Sequence, residues 1–363
     1  MSAQAAKKRV LVVDDAVVVR RTLADAVSRD SSLEVAGTAA NGRIGLEKFS
    51  ALKPDIVLLD IEMPEMDGLE TVRELRKLDL KVPIIMFSTL TERGASATLE
   101  ALSLGATDYV TKPSNLDMGA TLLTVTHELI PKIRALCHLP ESGTEEKKRP
   151  VPVFIPPMAT SRLVVPAQVI AIGVSTGGPD ALARLLPTLP ANLPVPVLVA
   201  QHMPAIFTQM LATRLAAKSA IAVREATPGE ELSAGTVFIA PGDFHMLVTA
   251  DRGKNFIATN RAPKENFCRP SVDVLFRSVA SVYGARALAM VLTGMGQDGL
   301  NSCQELRQLG ARVVVQDEAT SVVWGMPGNV ARAGLAHKIL PLDRIGPEIV
   351  AATSMQRMRA ATL

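Results

Sequence analysis

Short, unbroken apolar runs recur along this 363-residue sequence, and each is followed by a stretch with the spacing of an amphipathic helix. Strands buried on both faces read as continuous apolar runs, whereas half-exposed strands alternate apolar and polar residues. Such runs separated by helices are typical of a parallel sheet covered by helices. Five runs occupy the start of the chain: 9–15, 33–39, 55–61, 83–89 and 108–113. They predict five strand–helix units that end near residue 136.

A second series of runs begins after a charged and then proline-rich segment, 141–162, which is typical of a semi-extended linker. These runs cover 169–175, 194–202, 221–226, 235–243, 287–296 and 312–317. Residues 245–260 differ, because they alternate around an Asp-Arg-Gly turn and so predict a β-hairpin. The sequence therefore predicts two doubly wound parallel-sheet α/β domains, at 1–136 and 166–363, joined by a linker over 137–165.

Composition narrows the functional classes. Aromatic residues make up only 3% of the chain and the net charge is +3, which disfavours base stacking and binding to a polyanion. No apolar run approaches the roughly 18 residues of a membrane span, and Asp14 and Asp15 cut short the only signal-like start. Three widely spaced cysteines without a CxxC motif indicate a reducing compartment and argue against a structural zinc site. We expect a cytoplasmic protein without direct membrane insertion.

Polar side chains stand where four of the first five strands end. Asp14 and Asp15 follow the first strand, Asp60 the third, Ser88 ends the fourth and Lys112 follows the fifth. Ligands of doubly wound sheets bind at the carboxyl ends of the strands. Crowded carboxylates suit Mg²⁺, and a hydroxyl with an ammonium group can hold a phosphoryl group attached to one of the acids. Each acid alone is better explained as a helix cap or as the partner of a surface lysine, but the set in register favours a phosphoryl site.

This pattern, with the loop MPEMDG at 63–68, resembles the receiver domain of two-component response regulators. The resemblance implies a flavodoxin-like fold, Asp60 as the phosphoacceptor and a histidine kinase as the phosphodonor. It implies that Ser88 and Lys112 bind phosphoryl oxygens and that Tyr109 is the switching aromatic. The Mg²⁺ ligands that it implies are Asp14 (through water), Asp15, Asp60 and the backbone carbonyl of Glu62.

A candidate nucleophile opens the second domain. Ser175 lies in a GxSxG pentapeptide, 173–177, between a buried strand and a predicted helix. Glycines at these positions allow a sharp turn that lifts the hydroxyl clear of the sheet, near backbone N–H groups that could stabilise an oxyanion. A dinucleotide site would need GxGxxG and an acid after the next strand, where this chain has Gln201 and His202.

A serine nucleophile needs a base and an orienting carboxylate. His202 ends the strand after Ser175, so both should lie at the same edge of the sheet, although a lone histidine is more often structural. His245 and His337 are interpreted as structural. Asp298, in the glycine-rich segment 293–300, follows another apolar strand and could orient the His202 tautomer.

Six segments of this domain together resemble the chemotaxis protein-glutamate methylesterase/glutaminase family: VSTGGP, AQHMP, IAPGDFHM, RPSVD, TGMGQDG and SVVWGMP. The resemblance implies a Rossmann-like domain with Ser175 as nucleophile, His202 as general base and acid, and Asp298 as its orienter. It also implies that the Met295 N–H donates to the oxyanion and that Thr176 lies beside the nucleophile.

The same resemblance implies what the protein acts on and how it is controlled. It implies a serine hydrolase that demethylates glutamate methyl esters, releasing methanol, and deamidates glutamines on methyl-accepting chemotaxis receptors. Hydrolysis would need no cofactor, and phosphorylation of Asp60 would relieve inhibition by the receiver.

Three other functions would also be compatible with an attached receiver domain. A DNA-binding output is disfavoured, because no helix-turn-helix signature is evident and the basic residues of the second domain are spread out. A protein-binding module derived from a hydrolase would be expected to lack part of the triad, whereas Ser175, His202 and Asp298 are all in place. The sequence leaves open whether the enzyme acts on receptors of a pathway other than motility.

Overall fold

The structure is a computed structural model that describes residues 6–112, 125–140 and 165–360. The chain divides into two compact units, Met1–Glu145 and Glu146–Leu363. Most of the predicted linker, residues 141–164, lies outside the described residues, so its bounds stay a prediction. Among the described helices, none is both long and apolar enough to cross a membrane.

The first unit is a five-stranded parallel sheet with helices between the strands. Its strands are Lys8–Val13 (β1), Leu33–Ala39 (β2), Ile56–Asp60 (β3), Ile84–Ser88 (β4) and Asp108–Thr111 (β5). Its helices are Val17–Ser28 (α1), Gly42–Leu52 (α2), Gly68–Leu78 (α3), Glu92–Ser103 (α4) and Ile130–Leu136 (α5), the last preceded by a π-helical turn, Val125–Leu129. The spatial order β2-β1-β3-β4-β5 is that of flavodoxin-like folds, as predicted.

Local sequence explains these elements. Strands β3 and β4 are buried along their whole length, which is why they read as unbroken apolar runs. Helices α2, α3 and α4 begin where the side chains of Asn41, Asp67 and Thr91 accept hydrogen bonds from backbone N–H groups three residues on. The sheet order reverses between β1 and β3, so a crevice opens where Asp14 and Asp60 lie.

The second unit contains a seven-stranded parallel sheet and a separate hairpin. Its strands are Val169–Val174 (β6), Val197–Gln201 (β7), Ala222–Glu225 (β8), Thr236–Ile239 (β9), His245–Asp251 (β10), Lys254–Asn260 (β11), Ala287–Val291 (β12), Arg312–Gln316 (β13) and Lys338–Leu340 (β14). Its helices are Gly178–Leu185 (α6), Ala205–Ala216 (α7), Val272–Tyr283 (α8), Leu300–Gln308 (α9), Met326–Arg332 (α10) and Leu342–Ala360 (α11), and single 3₁₀ turns occupy Leu186–Thr188 and Gly284–Arg286. The parallel-sheet α/β class is confirmed in both units.

The hairpin of β10 and β11 closes at Arg252 and Gly253, which both have positive φ, 49° and 81°. Two consecutive left-handed residues give a turn whose twist matches that of antiparallel strands. Helix α8 packs against the hairpin with a buried stripe at helical spacing that includes Val272, Leu275 and Phe276. This packing fixes the N-terminus of α8 beside the main sheet.

The order of the main sheet, β14-β13-β12-β6-β7-β9-β8, reverses at β6. From β6 the chain first adds β7 and its neighbours on one side, and after the hairpin it adds β12 on the other. The crevice of a doubly wound sheet lies at such a reversal, outside the carboxyl ends of the strands. Ser175 follows β6, His202 follows β7 and the loop bearing Asp298 follows β12, so the chain delivers all three to this crevice.

Candidate active site and carboxylate cluster

Backbone hydrogen bonds fix the turn that carries Ser175. Its N–H donates to the carbonyl of Thr293, 3.0 Å away, and its carbonyl accepts from the N–H of Gly178 and the amide of Gln201, at 2.8 and 3.1 Å. Gly177 has a φ of 78°, a conformation that favours glycine, and α6 begins directly after it. The Ser175 side chain therefore stands between β6 and the first turn of a helix.

His202 and Asp298 form a direct pair. The Nε2 atom of His202 lies 2.8 Å from Oδ2 of Asp298, whose side chain is only 2% exposed. Four further donors surround the carboxylate: Asn266 Nδ2, Ser271 Oγ and the N–H groups of Val272 and Asp273, all at 2.7–3.0 Å. Because the Asn266 amide nitrogen and the two backbone N–H groups can only donate, they hold Asp298 as a carboxylate; a carboxylate only accepts, so the tautomer of His202 that fits this contact has its proton on Nε2.

The electrostatics of this pair follow from its neighbours. Burial raises the pKa of Asp298. His202 and the backbone N–H groups at the start of α8 together lower this pKa by more than burial raises it, so the net shift is downward. Burial lowers the pKa of His202, whereas Cys268 and Asp298 raise it, with a net upward direction. The site thus stabilises the imidazolium that forms when His202 accepts a proton.

The other ring nitrogen of His202 faces a cysteine. Nδ1 lies 3.4 Å from Sγ of Cys268, a contact between residues 66 positions apart. Within the described residues, no hydrogen bond joins the Ser175 hydroxyl to His202. The structure therefore brings Ser175 and His202 to adjacent strand ends without closing the bond between their side chains, as is common in the absence of substrate.

A glycine-rich loop covers Ser175 from the β12 side. Gly294 donates its N–H to Val323, 2.9 Å away, and accepts from the N–H groups of Gly325 and Met326 at 3.0 and 2.8 Å. The next N–H, that of Met295, donates no hydrogen bond to the described part of the chain. An N–H left free beside a nucleophile can donate to a developing oxyanion. Thr176 is buried, and its carbonyl accepts from the Thr293 hydroxyl at 2.8 Å.

In the first unit, a lysine bridges two acids at the β1–β3 crevice. Lys112 Nζ lies 2.7 Å from Oδ1 of Asp60 and 3.1 Å from Oδ2 of Asp14. Carboxylate oxygens of Asp14, Asp15 and Asp60 lie within 4.8 Å of one another. A cavity of about 270 Å³ opens beside them and is lined by Asp15, Asp60, Ile61, Glu62, Ser88, Thr89, Gly94 and Lys112.

The charge balance of this cluster favours a cation. Burial, and to a smaller extent Asp14, raise the pKa of Asp60, whereas Lys112 lowers it, and the net result is a pKa of about 6. One ammonium group therefore does not fully compensate the acids that share the crevice. Hard carboxylate oxygens at this spacing fit Mg²⁺.

The remaining predicted residues lie around the same crevice, apart from the aromatic one. Ser88 is buried, with its hydroxyl 3.2 Å from the carbonyl of Gly94, and Glu62 lines the cavity while its exposed side chain pairs with Arg93 at 3.5 Å. Tyr109 is also buried, and Lys132 Nζ lies 5.3 Å from the centre of its ring.

Comparisons with known proteins agree with both halves of this description. A family model for the response regulator receiver domain matches residues 10–123, and one for the CheB methylesterase matches 170–349. Two curated relatives are 51% and 47% identical to this chain. They are the protein-glutamate methylesterases/protein-glutamine glutaminases of Nocardioides sp. (strain ATCC BAA-499 / JS614) and Trichodesmium erythraeum (strain IMS101), respectively. They align with 96% and 95% of this chain and with 96% and 98% of their own. The chain belongs to the protein-glutamate methylesterase/protein-glutamine glutaminase family.

A solved structure supports the assignment of the second unit to this methylesterase family. The crystal structure of the Thermotoga maritima CheB methylesterase catalytic domain is 41% identical, with a TM-score of 0.50, and covers 52% of this chain and 99% of its own. The protein is thus a methylesterase/glutaminase with an attached receiver domain, as the sequence predicted.

Sequence reasoning missed two residues of the methylesterase site. Cys268 contacts His202, and Asn266 donates to both Asp298 and the buried carboxylate of Asp273, at 2.9 Å each. They lie in a segment without strand or helix periodicity, so no sequence pattern predicted that they would lie near His202 and Asp298. The only signal was the RPSVD motif at 269–273, because its serine, valine and aspartate supply donors to Asp298.

Gly294→Ala is expected to lower the kcat for a small activated ester by about 10²-fold, because the new Cβ would displace Ser175. An ideal Cβ at Gly294 would lie 2.7 Å from Cβ of Ser175 and 2.6 Å from Sδ of Met326. Gly296→Ala is the matched control in the same loop: it is strained by a φ of 85°, but its Cβ would meet nothing within 4 Å. Initial rates and thermal melts of both variants test this. Equal kcat values for the two would contradict steric displacement of Ser175.

Proposed function

We propose that Ser175, His202 and Asp298 carry out the methylesterase and glutaminase reactions on the glutamyl and glutaminyl side chains of methyl-accepting chemotaxis receptors. The observation that carries this proposal is their convergence at the reversal point of the main sheet, with Asp298 bound to His202 at 2.8 Å. The reaction is placed in the cytoplasm, in agreement with three free cysteines among the described residues.

The first half-reaction forms an acyl-enzyme. The Ser175 hydroxyl attacks the γ-carbonyl of the methyl ester while His202 takes its proton. Since Asp298 occupies Nε2, the nitrogen that accepts this proton is Nδ1, which must exchange its contact with Cys268 for one with Ser175. The Met295 N–H donates to the oxyanion, and Thr176 helps to shape the turn beside it. This half-reaction ends when His202 returns its proton to the departing methoxide, which leaves as methanol.

In the second half-reaction His202 takes a proton from water, which hydrolyses the Ser175 ester, and passes it to the Ser175 oxygen, so that the serine is restored. With a glutaminyl side chain the leaving group is ammonia. Either substrate becomes a glutamate carboxylate, so the enzyme adds one negative charge to the receptor at each site. No step needs a cofactor.

Control is proposed to lie in the first unit. Asp60 accepts a phosphoryl group from a histidine kinase, and Lys112 and Ser88 bind the phosphoryl oxygens. Mg²⁺, held by Asp14 (through water), Asp15, Asp60 and the Glu62 carbonyl, would supply the positive charge that the crowded acids lack. The ring of Tyr109 changes its rotamer when Asp60 is phosphorylated. Phosphorylation thereby relieves the inhibition of the second unit by the receiver.

Methanol release from methylated receptor membranes tests both halves of this proposal. A small-molecule phosphodonor with Mg²⁺ is expected to raise the rate of the full chain by roughly 5- to 150-fold, the usual range of coupling between sites. Asp60→Asn is expected to keep the unstimulated rate and lose the response. Equal rates for phosphorylated, unphosphorylated and receiver-deleted protein would reject the inhibition. No release by folded protein from a validated substrate would reject the activity.

A further inference from the structure

The two ring nitrogens of His202 have the environment of a metal-binding histidine. Histidines that bind metals through one nitrogen generally donate the other N–H to a carboxylate, which fixes the ring and raises its basicity. Here Nε2 faces Asp298 at 2.8 Å and Nδ1 faces the thiol of Cys268 at 3.4 Å. Imidazole nitrogen and thiolate sulfur are the ligands that zinc prefers.

The distance between these two atoms matches a shared zinc ion. With Zn–S near 2.3 Å and Zn–N near 2.0 Å, a tetrahedral angle places the sulfur and nitrogen ligands about 3.5 Å apart. The observed separation of 3.4 Å is therefore close to the one that two ligands of the same ion require. The oxygens of Asp298 already accept five hydrogen bonds, so this carboxylate orients His202 and is not a third ligand.

The segment that presents Cys268 is held in place. The Asn266 amide donates to Asp273 and Asp298, and the Cys268 N–H and carbonyl pair with the backbone of Glu265 at 2.9 and 3.2 Å. Phe267, between them, is 95% exposed, so its side chain does not cover the thiol. The ligand pair is thus preorganised, which lowers the entropic cost of binding an ion.

Accessibility separates this thiol from the other two. Cys268 and His202 are only partly buried, whereas Cys137 and Cys303 lie in the cores of their units. An ion from solvent can therefore reach Cys268 but not the other cysteines. Cys137 is consequently a suitable control, since it is a buried thiol of the same chain with no hydrogen bond to a histidine ring among the described residues.

We propose that His202 Nδ1 and Cys268 Sγ form an inhibitory site for Zn²⁺ or a similar thiophilic divalent cation. The thiol releases its proton to solvent as the Zn–S bond forms, and neutral Nδ1 donates its lone pair to the same ion. Water completes the coordination. Because Nδ1 is the nitrogen proposed to take the Ser175 proton, the bound ion stops hydrolysis. This effect on catalysis rests on the proposed function, whereas binding itself does not.

Cobalt binding tests the site independently of activity. Co²⁺ is added to the full chain with Mg²⁺ in excess, so that the carboxylate cluster is saturated, and the near-ultraviolet thiolate-to-cobalt charge-transfer band is recorded. Wild type and Cys137→Ala are expected to show a band that saturates at one Co²⁺ per chain and disappears on addition of Zn²⁺. Cys268→Ala is expected to show none. A band that persists in Cys268→Ala, or is absent from wild type, would overturn the proposal.

Inhibition is then measured on a small activated ester, with each variant compared with its own rate without zinc. We expect Zn²⁺ to inhibit wild type and Cys137→Ala reversibly, with recovery on addition of EDTA, and to require at least tenfold more zinc for Cys268→Ala. Equal zinc sensitivity of all three proteins would show that the inhibitory ion binds elsewhere. If the protein showed the charge-transfer band but no esterase activity, the result would support the metal site and contradict the catalytic roles proposed for Ser175 and His202.

Discussion

Replacing Ser175 with alanine is expected to lower the kcat for methyl ester hydrolysis by about 10⁶-fold, the loss typical of removing a serine nucleophile. Ser175 is the residue at the reversal point of the sheet, and it precedes the first turn of α6. It is covered by the loop of Met295, whose N–H donates to no group in the described part of the chain. A nucleophile at any other position would form the oxyanion away from the Met295 N–H and the first turn of α6. Methanol release by the purified variant is the measurement, with the thermal melt as a control for folding.

Cys268 is the rival nucleophile, because its thiol, and not the Ser175 hydroxyl, is hydrogen-bonded to His202 among the described residues. Its own N–H donates to the Glu265 carbonyl, so that donor is not available to an oxyanion. Cys268→Ala is therefore expected to lose no more than about tenfold in kcat, far less than removal of a nucleophile. If Cys268→Ala lost the activity and Ser175→Ala kept it, the two assignments would be exchanged.

The sheets were predictable because burial on both faces leaves an unbroken apolar run in the sequence. Strands β6, β7 and β12 are fully buried, and each lies within a predicted run. Strand β14 was not predicted. It has only three residues, at the edge of the sheet and none of them buried, so it lacks the long apolar run that a fully buried strand leaves in the sequence.

The approximate position of the catalytic residues was also predictable, because the carboxyl ends of parallel strands share one edge of the sheet. Because Ser175 follows β6 and His202 follows β7, this rule predicts that they lie close together even when the full strand order is not known. It says nothing about side-chain rotation, and the Ser175–His202 hydrogen bond that a triad suggests is not formed in the structure.

Cys268 and Asn266 were beyond sequence reasoning for a different reason. Both belong to the segment between β11 and α8, whose path depends on how α8 and the hairpin pack together. Asn266 has a φ of 51°, a conformation that asparagine adopts more often than most residues but that its residue type does not require. Contacts between irregular segments distant in sequence leave no periodic signal, so only the folded structure shows them.

Asp298→Asn is expected to lower kcat by about 10⁴-fold, because the amide would turn His202 into the wrong tautomer. The carboxylate accepts five hydrogen bonds, so an amide nitrogen at either oxygen position would face a donor. At the Oδ2 position it would meet both His202 and the Val272 N–H. His202 would then present a protonated Nδ1 to Ser175 and could not act as the base. The measurement is kcat for a small activated ester and for methylated receptors.

Stability separates this catalytic role from a structural one. Asp273→Asn is the matched control, because Asp273 is equally buried, shares the Asn266 amide with Asp298 and binds Ser302, yet does not contact His202. Both variants lose hydrogen bonds to a buried carboxylate, and each is expected to lower the free energy of unfolding by about 1–3 kcal/mol. Only Asp298→Asn should lose activity by orders of magnitude at a temperature where both are folded. Similar kcat values for the two would mean that Asp298 supports the fold of this site and does not orient the base.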